Sequence, residues 1–597
     1  MRIKLSQPDG IMQKVLRPLR AGVFCVSAGS CLVLALSGCG GGGSGGDSPV
    51  NGPVAQTHSL TGSVQGLNSD GLVLLVGNTQ ITVSNGANVV SLASMLNTGT
   101  AYSVTVQAQP VGATCSVSNG SGTISTSNVT NVAINCTANA FTIGGTITGL
   151  SAGGLVLLNN AGDATPIAAN AAQFVMTSPI PYGSSYSITV QTPPAGENCL
   201  IGHGAGTKVA SNVASVVIYC SPPWHSFTET VLYSFTGGND GALPTARLIE
   251  GSDGSLYGTT SAGGANGTGG TVFKITTAGV LTVLHSFING ISADGAVPSG
   301  LIQGTDGNFY GVASFGGTTG NGSVFKITPT GTETILHSFV NGLGDGANPY
   351  GNLVEATDGN FYGTAAIAGA FSDGVVFKVT PSGQESVLHS FNHNAGDGYL
   401  PGTGVIQASD GNLYGIAAGN GSDVNKSFGA VFKITLSGQE SLVYAFQGST
   451  ASDGQLPESG LVQGVDGNLY GNTSEGGAGG NGTVFKLTTA GVETVLTNFN
   501  AGGSVAVNGY SPLGSLIQAS DGNLYGVTNL GAAHNDGAVF QVTPQGMTTL
   551  VYAFGDSAGD GMNPMAGLVQ ASDGNFYGTT RGGGAHGYGA IIKITPQ

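Results

Sequence analysis

The sequence is poor in charge, and what charge it has is mostly acidic. Asp, Glu, Lys and Arg make up 8% of the 597 residues, with a net charge of -16; ordinary globular chains hold roughly 25%. Binding to nucleic acid depends on Lys and Arg side chains that neutralise phosphates. We therefore expect no nucleic-acid partner, and Ser, Thr, Asn and Gly supply the polar surface instead.

Long apolar runs and catalytic signatures are also missing. The apolar stretch 21–36 is too short and too broken by glycine to predict a membrane span. No nucleophile elbow, phosphate-binding loop or zinc motif is present. We therefore expect no cofactor and no metal ion, and we favour a non-catalytic role while leaving enzymatic activity open.

The N-terminus has the layout of an export signal. Lys14, Arg17 and Arg20 precede the apolar stretch, as in secretory signals. The stretch ends at Cys39 in Leu-Ser-Gly-Cys, which resembles the lipobox of bacterial lipoproteins. That resemblance implies removal of residues 1–38, acylation of Cys39, and a membrane partner through the lipid. The following Gly40 favours an outer-membrane lipoprotein of the bacterial envelope, facing the periplasm or the exterior; a plain signal peptide with an incidental cysteine is the alternative.

Residues 39–56 are Gly-rich and predict a flexible tether. Residues 57–138 and 139–222 then resemble each other, for example in Gly71–Leu75 and Gly154–Leu158. Alternating strands in each copy predict two small antiparallel β-sandwich modules. The duplication favours one disulfide per module in an oxidising compartment, over a metal site that would lack nearby histidines; the pairs are Cys115 with Cys136 and Cys199 with Cys220.

Residues 223–597 hold one pattern seven times, at a spacing of roughly 52–56 residues. Each copy has an Asp-Gly turn, Leu/Phe-Tyr-Gly, and a segment of the type Val-Phe-Lys-Ile-Thr, and it reads as four short strands. Four strands per copy predict an all-β fold, a seven-bladed β-propeller. The turn aspartates are Asp253, Asp306, Asp358, Asp410, Asp466, Asp521 and Asp573.

The ends of the repeat region predict how the ring closes. The chain ends after a third strand, Ile591–Thr595, and the region begins with an unmatched fourth strand, Glu229–Leu232. Pairing these two segments would leave no open sheet edge. A Lys followed seven residues later by a Glu, as in Lys326 and Glu333, further predicts a cross-strand ion pair between the third and fourth strands of four copies, and of Lys593 with Glu229 across the seam; the first and sixth copies lack the pattern.

Several polar positions recur in nearly every copy and are interpreted as structural. The Asp of each Asp-Gly-x-x-Pro segment, as in Asp240, indicates turn chemistry, with a ring of calcium sites as the alternative. First-strand amides and acids are interpreted as bonding a neighbouring blade, with channel lining as the alternative; they are Glu250, Gln303, Glu355, Gln407, Gln463, Gln518 and Gln570. His285, His337 and His389 share a position with tyrosines, which indicates packing with a polar tip and not a metal ligand.

The copies resemble the GloVer tandem repeats of bacterial surface proteins with variable anchors. The resemblance covers about residues 225–597 and implies an exported, anchored protein, with no established catalytic residues. Two function classes remain: a binding or scaffold module for an extracellular glycan or surface protein, which we favour, and a polysaccharide-acting hydrolase or lyase. The variable loops between the second and third strands hold the candidate ligand-binding residues, which are Asp373, Asp423, Lys426, Glu475, His534, Asp536, Arg581, His586 and Tyr588. The oligomeric state is not indicated.

Overall fold

The chain folds almost entirely into short β-strands. The computed structural model describes residues 56–221, 224, 226–288, 290, 294–419, 428–448, 453–500 and 509–597. The expected signal, the acylated Cys39 and all but the last residue of the tether lie outside these ranges. Within them every regular element is a strand, and no helix there is long and apolar enough to cross a membrane.

The first module packs two four-stranded sheets around a core that includes Leu60, Leu74 and Val132. One sheet has the spatial order Val89–Asn97, Thr57–Gln65, Val129–Ala138, Ala113–Ser118. The other has the order Thr79–Val83, Leu72–Val76, Ala101–Ala108, Ser121–Thr123.

The second module repeats this arrangement. One sheet has the order Gln173–Val175, Ile143–Thr148, Val213–Ser221, Asn198–Gly202, and the other Asp163–Pro166, Val156–Asn159, Tyr186–Thr192, Ala205–Gly206. Ile180–Pro181 also pairs with Ala140–Phe141. The prediction of purely antiparallel sandwiches is wrong in one respect, because Thr57–Gln65 pairs in parallel with Val129–Ala138, and Ile143–Thr148 pairs in parallel with Val213–Ser221.

Each module carries one disulfide, between two cysteines that face each other on paired strands. The structure joins Cys115 to Cys136 and Cys199 to Cys220, as the duplication predicts. Closing a loop of 21 residues contributes roughly 3 kcal/mol to a small domain. Because disulfides persist in oxidising compartments, the protein is secreted or belongs to the cell envelope.

The seven copies form seven four-stranded units, which we number 1 to 7 along the chain. Unit 1 has the strands Ile249–Glu250, Leu256–Thr260, Thr271–Ile275 and Leu281–Ser286. Unit 2 has Gly295–Gln303, Phe309–Gly316, Ser323–Ile327 and Glu333–Ser338. Unit 3 has Gly346–Glu355, Phe361–Ala368, Val375–Val379 and Glu385–Ser390. Unit 4 has Tyr399–Gln407, Leu413–Gly419, Ala430–Ile434 and Glu440–Ala445.

Units 5 to 7 have broken first strands. Unit 5 comprises Val462–Gln463, Leu469–Thr473, Gly480–Leu487 and Glu493–Asn500, with the side pair Gly454–Gln455 and Glu475–Gly476. Unit 6 comprises Tyr510–Pro512 and Ile517–Gln518, then Leu524–Leu530, Ala538–Val542 and Thr548–Ala553. Unit 7 comprises Val569–Gln570, Phe576–Thr580, Ala590–Pro596 and Phe227–Ser234, with the side pair Gly561–Met562 and Gly582–Gly583.

Unit 7 takes its outer strand from the start of the repeat region, as predicted. Phe227–Ser234 pairs antiparallel with Ala590–Pro596, from Phe227 opposite Pro596 to Ser234 opposite Ala590. Trp224 packs beside this strand on the rings of Tyr525 and Phe576, with centroids 5.8 and 5.4 Å away. The seam of the ring is therefore closed by both pairing and aromatic packing.

The core of the ring lies between units. Among the described residues, seven buried clusters each combine side chains of two adjacent units, including units 7 and 1. Tyr257 of unit 1 stacks on Phe309 of unit 2 with ring centroids 4.0 Å apart, and Tyr310 stacks on Phe361 at 3.9 Å. A single unit could not bury these faces, which is why the repeats must stack.

A ring of hydrogen bonds marks the end of the units that carries the Asp-Gly turns. We call this end the turn face. The first-strand Gln or Glu of each unit accepts the backbone N–H of the turn residue before the Asp in the preceding unit, at 2.8–2.9 Å. The series returns to its start after seven steps, when Ser572 of unit 7 donates to Glu250 of unit 1. These side chains bond neighbouring units, as interpreted from the sequence.

The Asp-Gly turns connect the first and second strands of each unit. In the first, Gly254 donates to the carbonyl of Gly251 at 2.9 Å, and only Gly254 has a positive φ, 73°. This is a type I turn followed by a left-handed glycine, and the Asp therefore keeps ordinary backbone angles. Its carboxylate is free to accept the tyrosine hydroxyl four residues later and the third-strand lysine, as Asp306 does from Tyr310 and Lys326, both at 2.8 Å.

The predicted Lys–Glu pairs within each hairpin are wrong. Lys326 bonds Asp306 of its own turn, and it lies opposite Thr334 in the hairpin while Glu333 lies opposite Ile327. Residues one position out of step point to opposite faces of a sheet. The glutamates face the preceding unit instead. The seven-residue spacing therefore reflects two separate contacts, one of the lysine within its own unit and one of the glutamate with the preceding unit.

The second module rests on the turn face. The His203 N–H donates to the carbonyl of Val465 at 3.2 Å, and Leu200 lies against Gly522. Tyr182 of the same module lies against Gly112 of the first. The two modules thus connect in series to one side of the ring.

Candidate functional site

The other end of the ring carries the segments in which the copies differ. Each second strand runs away from the turn face, so the loop that follows it lies at the opposite end, beside the Asp-Gly-x-x-Pro connection to the next unit. We call this end the loop face. Variable loops on a repeated scaffold are where binding residues usually lie.

The residue before each proline on the loop face adopts the left-handed conformation. The seven φ values lie between 53° and 58°, at Leu243, Val297, Asn348, Leu400, Leu456, Ser511 and Asn563. Such angles are strained for non-glycine residues and unusual for a β-branched one. The geometry has a clear use: Leu243 donates its N–H to the Tyr588 carbonyl and Leu400 to the Asp373 carbonyl, each at 2.9 Å. Each connection is thereby fixed to the loop of the preceding unit.

A cavity of about 650 Å³ opens at the centre of the loop face. We call it the channel-mouth cavity. It is lined by residues from all seven units, which are Leu243, Thr245, Ser261, Val297, Tyr350, Leu400, Gly402, Thr403, Ile416, Ala418, Pro457, Glu458, Leu513, Met565 and Arg581. This volume is within the usual range for small-molecule sites, and the mixture of apolar surface with a few polar groups is typical of them.

The structure distributes the candidate ligand-binding residues around the rim and does not gather them. Asp373 accepts His393 Nδ1 at 2.7 Å, His534 Nε2 lies 2.8 Å from Asp556, and Gln455 donates to Glu475 at 2.7 Å. These pairs belong to the loop faces of units 3, 6 and 5. Their geometry indicates local loop contacts more than one shared site.

The remaining candidates have separate positions. Asp536 accepts the Asn563 N–H through its backbone carbonyl at 2.8 Å. His586 is exposed, and the Tyr588 ring lies against Gly237. Arg581 is the single predicted residue that lines the channel-mouth cavity. Asp423 and Lys426 lie outside the described residues.

Sequence reasoning missed two charged residues at the centre of the ring. Glu458 lines the cavity from unit 5, and Arg247 belongs to the first segment of unit 1. At the position of Arg247 the other units have Gly300, Asn352, Gly404, Gly460, Ser515 and Gly567. The sequence does show this difference, because Arg247 stands where the other copies have small residues. The predicted binding residues, however, were all in the loops.

Within the described part of the chain, three groups at the outer part of the unit interfaces have distances that would allow them to hold a metal ion. Each joins a His and an Asp with a Glu of the following unit, with ligand atoms within 4.8 Å of one another; the groups are His285–Asp294–Glu333, His337–Asp345–Glu385 and His389–Asp397–Glu440. At three further interfaces a tyrosine replaces the histidine, and the hydroxyls of Tyr233, Tyr444 and Tyr552 donate to Asp240, Asp453 and Asp560 at 3.0, 2.9 and 3.0 Å. The common role is to donate a hydrogen bond to the aspartate.

The glutamates of these groups are unusual carboxyls. Burial, and then the charge of Asp453, raises the pKa of Glu493 to about 7, and one of its oxygens has no hydrogen-bond partner. Burial and a nearby negative charge both favour the protonated form of a carboxyl. Between units 5 and 6 the Glu position is Thr548, which donates to Thr497 at 2.8 Å. We therefore interpret these groups as structural contacts between units.

Comparisons with known structures find distant propeller-like neighbours. Virginiamycin B lyase from Staphylococcus aureus is 15% identical, with a TM-score of 0.40 over 62% of this chain and 100% of its own. The extracellular domain of a hybrid two-component system from B. thetaiotaomicron is 12% identical, with a TM-score of 0.42 over 66% of this chain. This chain spans 44% of that domain. Likenesses this low say nothing about what the protein binds or catalyses.

Sequence comparison is more specific. No curated protein matches the chain. The profile of the Gloeobacter/Verrucomicrobia repeat matches residues 206–427 and 401–597, which together span all seven units. The chain therefore belongs to the Gloeobacter/Verrucomicrobia repeat family.

Proposed function

We propose that this protein is a lipid-anchored module of the bacterial cell envelope that binds an extracellular glycan or surface protein at its loop face. The observation that carries the proposal is the position of the modules. The second module contacts the turn face at Val465 and Gly522, so the chain that leads back to Cys39 leaves from that side. The loop face, with its cavity, is directed away from the anchor.

The chemistry of the loop face supports a neutral or acidic polar ligand that is held by few contacts. Most of its polar groups are hydroxyls, amides and backbone groups of glycine-rich loops, which suit sugar hydroxyls. The polar groups of the described rim pairs, such as His534 and Asp556, are hydrogen-bonded to each other. Binding by shape and hydrogen bonding fits this surface better than acid–base catalysis, which requires a positioned pair of titrating groups.

A glycan array probed with residues 56–597 tests the proposal. We expect binding that is weakened by Arg581→Gln, which changes the cavity, and unchanged by Ser382→Ala, which lies in an exposed turn on the opposite face. Binding that survives every loop-face substitution would place the site elsewhere. Degradation of an arrayed polysaccharide, abolished by His534→Ala or Glu475→Gln, would instead support an extracellular hydrolase or lyase.

The anchor is tested separately. We expect Cys39→Ser to release the protein from the membrane fraction and globomycin to accumulate an unprocessed precursor. Membrane association that persists in the Cys39→Ser variant would contradict lipid anchoring without affecting the binding proposal.

A further inference from the structure

The two arginines of residues 21–597 lie on adjacent units of the ring. They are Arg247 and Arg581, in units 1 and 7, which the closing strand brings together. Thr579 donates its hydroxyl to the Ala246 carbonyl at 3.1 Å. Arg247 is the next residue after Ala246, and Arg581 lies two residues after Thr579. From this contact Arg581 lies toward the loop face, where it lines the cavity, and Arg247 lies toward the turn face.

Arg247 occupies a narrow part of the channel. In the other units, this segment touches its equivalent in the next unit: Asn352 pairs with Gly404, and the Gly460 N–H donates to Ser515 Oγ at 2.9 Å. A Cβ on Gly567 would collide with the Ser515 backbone. Small residues around the axis leave room for one long side chain, and Arg247 supplies it.

The guanidinium of Arg247 has no partner among the described residues. Its Nε is buried without a hydrogen bond, and no carboxylate there lies within ion-pair distance. Burial lowers the pKa of Arg247 to about 10, while the residue keeps some accessible surface. Both facts fit a group that faces the internal channel and not bulk water. A buried charge without a counter-charge is costly, which indicates that a ligand supplies one.

We propose that Arg581, which lines the channel-mouth cavity, and Arg247, which follows the cavity residue Thr245 toward the turn face, together bind a ligand that is an acidic sugar of one or two rings, held through its carboxylate. The inference rests on the proposed glycan-binding function and names its substrate class. Guanidinium groups suit carboxylates because they can donate two parallel hydrogen bonds. The rest of the cavity suits a sugar: Tyr350 and Met565 offer apolar surface, Thr245 and Ser261 offer hydroxyls, and Glu458 can accept a sugar hydroxyl.

Calorimetric titration of residues 56–597 with glucuronate and digalacturonate tests this assignment, with glucose and inorganic phosphate as comparison ligands. We expect at least one uronate to bind more tightly than glucose, and Arg247→Met and Arg581→Met each to weaken it about tenfold or more. Arg247→Lys keeps the charge but loses the paired donors, so it should weaken binding less. Lys208→Met removes an exposed charge from the second module and should have no effect.

Three results would overturn the proposal: no uronate binding, equal binding of glucose and glucuronate, or uronate binding that both Arg→Met variants retain. Tight binding of phosphate with no uronate binding would also overturn it, since the site would then take an inorganic oxyanion. If Arg247→Met does not fold, as judged by its thermal transition, Arg581→Met and Arg247→Lys decide. Neutral glycans bound on the array by both Arg→Met variants would leave the proposed function standing while this inference fails.

Discussion

The two faces of the ring follow opposite rules. On the turn face every unit repeats the same contacts, down to the hydrogen bond between each first-strand Gln or Glu and the preceding turn. On the loop face the backbone pattern repeats, with seven left-handed residues, but the side chains change from unit to unit. Repetition specifies the scaffold, and the departures from it are where a ligand can be recognised. Substitutions on the turn face should therefore change stability, and those on the loop face should change binding.

Opening the ring should have the largest effect, because it destroys both faces at once. We expect deletion of residues 227–234 to lower the unfolding midpoint by more than about 10 °C, since it removes the outer strand of unit 7, and to cause association through the exposed edge at Ala590–Pro596. Calorimetry and light scattering measure both. Deletion of Ser121–Thr123, an exposed edge strand of the first module, is the control, and a monomer with an unchanged midpoint would refute closure by this strand.

Removing one turn aspartate should have the next largest effect. Asp466 accepts hydrogen bonds from Asn468, Tyr470 and Lys486 at 3.1, 2.8 and 2.9 Å. We expect Asp466→Ala to cost about 2–3 kcal/mol of unfolding free energy in urea, because charge-assisted bonds are lost and a buried hydroxyl loses its acceptor. Asp556→Ala on the loop face should change stability by less than about 0.5 kcal/mol. Equal effects would contradict the contrast between the faces.

The carboxyl groups predict an optimum in the dependence of stability on pH. The pKa of Glu493 is raised to about 7 in the folded protein, so its contribution is complete below about 4.5 and is lost as the pH rises through about 7. Burial alone would raise the pKa of Asp410, but hydrogen bonds from Asn412 and Lys433 outweigh it and lower it to about 2. That contribution is present above about 4 and is lost as the pH falls toward 2.

Urea unfolding at pH 3 to 8 should therefore show greatest stability near pH 4–5. We expect Glu493→Gln to flatten the decline toward pH 8 by on the order of 1 kcal/mol, since an amide cannot ionise. The parallel substitution Gln384→Glu, at an exposed position, should leave the profile unchanged. A Glu493→Gln profile that matches the unsubstituted protein would mean that this glutamate is already ionised in the fold.

One hydrogen bond of the turn-face ring should be worth less. Gln463 accepts the Ser409 N–H at 2.8 Å and donates to the Gly467 carbonyl at 2.9 Å. We expect Gln463→Ala to cost about 1 kcal/mol, measured by urea unfolding against Gln384→Ala. A loss no greater than that of the control would show that water replaces this link without cost.

The smallest change should come from a loop-face residue held in a strained conformation. Leu400 has a φ of 53° and is 38% exposed. We expect Leu400→Gly to change the unfolding free energy by less than about 0.5 kcal/mol, because relief of the left-handed strain offsets the greater freedom of glycine when unfolded. Leu413→Gly, in the buried second strand of the same unit, should cost about 3 kcal/mol or more. A large loss at Leu400 would show that its side chain holds the cavity together.

Local patterns in the sequence were sufficient to predict the ring, but not its contacts. Repeat spacing and Asp-Gly turns led to the units, because each depends on residues close in sequence. The two unmatched end strands led to the closure, because together they complete one copy of the repeat. The prediction that Lys326 pairs with Glu333 was wrong. The alternation of residues along a strand shows which face of the sheet a side chain is on, but the partner on that face depends on the neighbouring unit. Arg247 was missed for the same reason: its importance comes from six small residues that lie far away in sequence and around it in space.

The closing strand has a consequence for how the protein is made. Ser226 and Gln597 are hydrogen-bonded although 371 residues separate them. In a chain that crosses a membrane from its N-terminus, Phe227–Ser234 emerges long before the strand it must join. The ring cannot be completed until Ala590–Pro596 has also crossed. Until then the first six units lack the seventh, and Phe227–Ser234 has no strand to pair with. Long-range pairing of this kind is slow and exposes sheet edges to other chains, and secretion of this protein is therefore expected to depend on chaperones that shield the incomplete ring.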